Sequence, residues 1–254
     1  MDYNYTLLAL YGGLFTWLLT IIGSSSVFAF KKINKNILDI SLSLSAGIML
    51  SASIFSLINP AIENSKELKL TPWINVGFGI IAGALFILFN EKIFEKKISN
   101  KKTKNIFLMI ISITLHNIPE GLAVGIAFGS IKYGINGITI TSATLLTLGI
   151  GIQNFPEGSA ISLPLRRLNY SRLKSFFYGM ISAIVEPIFA LIGALLTLRL
   201  RILMPFLLSF AAGSMIYVIF VELIPESQKN EYKSLMAFSS IIGFVLMMIL
   251  DITL

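Results

Sequence analysis

Leu115-His116-Asn117-Ile118-Pro119-Glu120-Gly121 and Ile152-Gln153-Asn154-Phe155-Pro156-Glu157-Gly158 repeat one order, Asn-x-Pro-Glu-Gly, 37 residues apart. Each copy sits inside a long run almost free of charge, residues 105–131 and 133–165. Working outward, similar runs cover 3–30, 40–62, 70–90, 175–198, 202–225 and 234–250. A bilayer core is spanned by about 20 apolar residues in a helix, with a range of roughly 17–25. All eight runs are long enough. The longest charged connection, 91–104, has 14 residues, too few for a soluble domain. A transmembrane barrel is excluded, because its strands alternate over about ten residues. The expected fold is all-α: a polytopic bundle of eight membrane helices forming one domain, 1–254.

Composition agrees. The chain has 254 residues, 55% hydrophobic and 13% charged, against about 25% charged in soluble domains. There is no Cys, so thiolate metal sites and disulfides are excluded. His116 is the only histidine, which excludes any site that needs two imidazoles from one chain. The first five residues lack the basic flank of a signal peptide, so the first run is expected to stay as a helix.

The net charge of +7 is mostly a topology signal. Of the 20 Lys and Arg, 15 lie in the first, third, fifth and seventh connections and 5 in the others. Cytoplasmic loops carry the excess of basic residues, so both termini are expected outside the cell. No nucleic-acid partner is needed; lipid is the expected surroundings. Within the third connection, Glu91–Lys104, solvation explains the lysines, with lipid binding or regulation as the other reading.

The repeat has the chemistry of a cation site. At about 100° per residue, His116 and Glu120 share a face, with Asn117 beside it. Gln153, Asn154 and Glu157 do the same on the next helix. Pro119 and Pro156 remove a donor each, freeing the carbonyls of Leu115 and Ile152. Helices interrupted in corresponding places, running in opposite directions, point to a transporter's binding site at mid-membrane. Glu120, Glu157 and Glu186 at that depth cost on the order of 10 kcal/mol together on insertion scales, and no span holds a Lys or Arg at that depth. A divalent ion balances two of the three charges; two ions would overshoot by one. Imidazole with carboxylates and amides reads as a borderline site: zinc first, then iron, manganese or cadmium. The ion is expected as cargo and not as a cofactor, since such modest donors let it go. A zinc protease needs His-Glu-x-x-His and a di-iron bundle two Glu-x-x-His motifs. An intramembrane metalloenzyme is therefore the lesser reading, with a metal-stabilised receptor beside it.

These motifs, with Glu186-Pro187 and the eight-run pattern, resemble the ZIP (Zrt/Irt-like protein) family of divalent metal transporters. The resemblance covers essentially the whole chain and implies a 3+2+3 arrangement with inverted pseudo-symmetry. The spans would fall near 5–30, 38–60, 71–90, 105–130, 138–165, 172–198, 203–225 and 234–252. It implies one subsite of His116, Glu120, Gln153 and Glu157, with Met49 of span two nearby. A second would use Asn117, Asn154, Glu120, Glu157 and Glu186, the glutamates bridging two ions. Some relatives have His at Gln153 and Asp at Asn154, so this site is less anionic. The expected function is import into the cytoplasm across the plasma membrane by alternating access, spans 1, 4, 5 and 6 moving against 2, 3, 7 and 8. A homodimer is expected by resemblance only. Small residues at Gly23–Ser26 and Ala211–Ser214 would permit close, sliding contact, or equally serve static packing. Asn59 and Glu63, at the outer end of span two, have two readings, lining an entrance or interfacial solvation. Glu222, near the inner end of span seven, has two as well, receiving the ion on release or capping a helix end with Glu226. Asp39 and Asp251 sit at span ends, where solvation is expected.

Overall fold

The computed structural model describes residues 4–29, 35–95, 101–134 and 139–253. Among these the chain is helical almost throughout, with no strand. Helix α1 (Tyr5–Ser24) continues past a turn into α2 (Ser26–Ala29). Helix α3 (Lys35–Ala52) passes through a π-helical stretch, Ser53–Ile58, into α4 (Asn59–Glu67), and α5 is Pro72–Glu95. The two motif helices are α6 (Lys101–Lys132) and α7 (Ile140–Arg167). Next come α8 (Arg172–Ser182), α9 (Val185–Leu195) and α10 (Thr197–Leu200). Helix α11 (Met204–Val218) runs through a second π-helical stretch, Ile219–Leu223, into α12 (Ile224–Ser227), and α13 (Lys233–Thr253) is last.

The ends follow local chemistry. Asn4 Oδ1 accepts from Leu7 N at 3.2 Å and starts α1. Thr139 and Ser142 cap α7 reciprocally. Arg166 and Arg167 close α7 where the helix dipole is negative.

Among the described residues, six helical stretches are long and apolar enough to cross a membrane: Tyr5–Ala29, Leu38–Glu67, Pro72–Ile93, Arg172–Leu195, Thr197–Ser227 and Lys233–Thr253. Helices α6 and α7 lie outside that set, each carrying the polar motif in mid-run. Lipid-type surface covers the periphery, with Trp73, Phe78, Phe89, Phe238 and Ile241 all exposed. The protein is an all-helical, multi-pass membrane protein.

Packing divides the helices into two sets. Helix α6 packs most extensively on α9, and α1 on α7 and α9; separately, α3 packs on α13 and α5 on α11. Contact between the sets is thinner and runs through α6 against α11 and α3 against α7. The small-residue stretches lie inside these sets. Gly23 abuts the Phe155 backbone of α7, and Gly213 abuts the Ile80 backbone of α5. Without a Cβ each lets two helices of the same set close together.

Candidate metal centre

Helices α6 and α7 run unbroken through Pro119 and Pro156, where the sequence suggests interruption. Their i, i+4 spacing sets His116 above Glu120 and directs Gln153 and Glu157 at the same point. His116 Nε2 is 3.1 Å from Glu120 Oε1 and 3.2 Å from Glu157 Oε1. Gln153 Nε2 donates to Glu120 Oε1 and lies 3.5 Å from His116 Nε2. All four residues are buried. One ligand atom from each of His116, Glu120 and Glu157 falls within 4.8 Å of the others. Bonds of about 2.0–2.1 Å to a tetrahedral zinc put neighbouring ligands about 3.3 Å apart. The two distances from His116 Nε2 to the carboxylates are close to that spacing.

Among the described residues, several buried acceptors of the motif residues and Glu186 have nothing to accept from. Glu120 Oε2, Glu157 Oε2, Gln153 Oε1, Asn117 Oδ1, Asn154 Oδ1 and Glu186 Oε1 are buried without a hydrogen-bond partner. Buried polar atoms are normally paired. Six unpaired oxygens, three of them on carboxylates, suit a cation.

The sequence-predicted residues fall into two groups. Asn154 Nδ2 donates to Glu186 Oε2 at 2.7 Å, joining α7 to α9. Asn117 Nδ2 reaches Ser182 O at 3.3 Å, so this amide grips the end of α8. Met49 is buried in the apolar core of α3, its carbonyl accepting from Ser53 Oγ at 2.8 Å. Its sulfur makes no hydrogen bond to the cluster among the described residues. The sequence offered no sign of Thr16, buried on α1, whose carbonyl accepts from Asn154 Nδ2 at 3.4 Å. A Thr among apolar neighbours carries no signal without the fold.

Away from the centre, Asp39 overturns the expectation of solvation. It is fully buried, with Arg167 Nη1 3.5 Å from its Oδ1 and Asn230 Nδ2 donating to its Oδ2 at 2.8 Å. Arg167 also pairs with Glu226 at 3.2 Å. The pairs form because the basic end of α7 lands between α3 and α12. Asp251 is half-buried and accepts from Ser56 Oγ at 2.6 Å, again not simply solvated. Glu222 is half-buried and Glu63 is exposed. Within the lysine-rich connection, 96–100 lie outside the described residues.

Along most of its length the chain is similar to known proteins. A family model described as ZIP Zinc transporter matches residues 6–106 and 95–251. The chain is 34% identical to Zinc transporter ZIP11 of Xenopus tropicalis, over 98% of each chain. It is 34% identical to Zinc transporter GufA of Myxococcus xanthus, over 79% of this chain and 80% of that one. With Zinc transporter ZIPB of Bordetella bronchiseptica it shares 30% identity, over 96% of this chain and 80% of the relative. All three are named as transporters.

Proposed function

The chain belongs to the ZIP family of zinc transporters, and from that premise we propose that it carries divalent transition-metal ions, zinc first, into the cytoplasm. It is a transporter and not an enzyme, and zinc is its cargo. One observation carries the siting: a lone imidazole and two carboxylates from adjacent helices, all buried, with ligand atoms within 4.8 Å. His116, Glu120, Gln153 and Glu157 form the primary subsite. Asn117, Asn154 and Glu186, with the bridging glutamates, form the second. Met49 stands as a neighbour on α3.

Eight spans with both termini outside fit the 15-to-5 division of basic residues. The two packing sets support alternating access. Helices α1 and α6–α9 carry the ion, and α3–α5 with α11–α13 form the scaffold. Thin contact between sets and dense packing within each favour movement as two bodies. Arg167, Asp39 and Glu226 link the bodies in the arrangement seen here. Protons compete with metal for the same ligands, which aids release.

Zinc uptake into vesicles holding the purified full chain tests this. Glu120→Gln and Glu157→Gln are each expected to abolish uptake while the protein still folds and inserts. Uptake unchanged in both would remove the site from the pathway.

A further inference from the structure

The membrane stretch Arg172–Leu195 does not run as one helix: α8 ends at Ser182 and α9 begins at Val185. Pro187 has no N–H, so the carbonyl of Ala183 loses its donor four residues on. Glu186 N takes that carbonyl instead, at 3.0 Å, and Ile184 N takes Ile181 O at 3.2 Å. Because both amides reach back three residues and not four, the carbonyls of Ser182 and Met180 lose their helical partners. In a water-poor interior each freed carbonyl needs a donor. Both find one on another helix. Asn117 Nδ2 of α6 takes Ser182 O, and Trp17 Nε1 of α1 takes Met180 O at 2.9 Å. The break is held open from outside, and α9 starts just beyond it with Glu186 in its first turn.

Asn117 belongs to the site already described; Trp17 does not. Tryptophans of membrane proteins gather at the lipid–water interface, and Trp73, 77% exposed at the start of α5, fits that pattern. Trp17 does not fit it. It is half-buried in the body of α1, next to Thr16, whose carbonyl holds Asn154. Thr16 thus meets Asn154 directly, and Trp17 meets the carbonyl end of α8, at the break that precedes Glu186.

We propose that Trp17 is a positioning residue for the metal site, its indole N–H fixing the break at Met180–Ile184 and through it the placement of Glu186. The inference rests on the metal-site reading above. Phenylalanine keeps most of the ring and removes the donor, so Trp17→Phe isolates the hydrogen bond. Zinc affinity of the purified full chain, measured by equilibrium dialysis, is the readout. Supporting groups around metal ligands are typically worth about 10–100-fold in affinity, and Trp17→Phe is expected at the lower end, about tenfold. In a Glu186→Ala background it is expected to add nothing, because the two changes act on one link. Affinity equal to the parent in Trp17→Phe, or losses that multiply in the double variant, would overturn the proposal. If Trp17→Phe does not accumulate, Pro187→Ala is the second test. It restores the missing backbone donor, lets the helix close on its own carbonyls, and is expected to recover accumulation of Trp17→Phe. No recovery would overturn the proposal as well. Failure of the site itself is separable, since it shows as Glu120→Gln and Glu157→Gln binding zinc like the parent.

Discussion

Replacing Gly121 by Ala is a steric test of how closely α6 must approach the break before α9. A Cβ at 121 would lie 2.6 Å from Glu186 O and 3.0 Å from Glu186 Cα, where ordinary contact begins at 3.4 Å. The helices must part by about 0.8 Å to admit it, and overpacking of this kind costs about 1–3 kcal/mol. Alanine returns about 0.5–1 kcal/mol of helix preference over glycine, leaving a net loss of about 0–2.5 kcal/mol. The functional effect is expected to be larger than the loss of stability. The residue displaced is Glu186, and a misplacement near 1 Å is enough for about 100-fold in a positioned site. Zinc uptake is therefore expected to fall about 10–100-fold while a thermal melt in detergent shifts by only a few degrees. Gly149→Ala on the neighbouring motif helix is the control, because nothing lies within 4 Å of its Cβ position. It is expected to transport normally and to be no less stable. Uptake at the parent level in Gly121→Ala would refute the close approach of α6 and Glu186 as a requirement of function.

Other outcomes follow from the same geometry. Asn154→Asp places a carboxylate against Glu186 and is expected to tighten zinc binding but slow turnover, read as lower KM and lower kcat in vesicle uptake. Arg167→Ala leaves the buried Asp39 without its cation. It should destabilise the protein in a thermal melt, with partial recovery in the Asp39→Asn double variant; equal stability of Arg167→Ala and the parent would show the link to be idle. Zinc affinity is expected to weaken as pH falls, since imidazole and carboxylates must be deprotonated to bind metal; a titration with no pH dependence would contradict the ligand set.

The sequence carries much of the fold because lipid allows few solutions. Uncharged runs of twenty residues must be helices in a membrane protein of this kind. The Asn-x-Pro-Glu-Gly repeat carries the centre, since helical spacing alone puts His116 and Glu120 on one face. What stayed hidden depends on partners distant in the chain. The break at Ala183–Ile184 lies just before Pro187, which removes one backbone donor, but its contact with Trp17 joins residues 163 apart in the chain. Asp39 reads as a solvated span end until Arg167, 128 residues on, is placed beside it. Pro119 and Pro156 misled in the other direction. A proline in a membrane helix can be accommodated when neighbouring helices and polar side chains satisfy the freed carbonyl, so these two do not break their helices.

Zinc-edge X-ray absorption on untagged protein loaded with one equivalent of zinc is the most direct measurement. With one histidine and no cysteine in the chain, any imidazole scattering from bound zinc must come from His116. The expected spectrum has nitrogen and oxygen neighbours at about 2.0–2.2 Å, with an imidazole contribution that disappears in His116→Ala. Zinc held without that contribution in the parent protein would contradict a centre built on His116, Glu120 and Glu157.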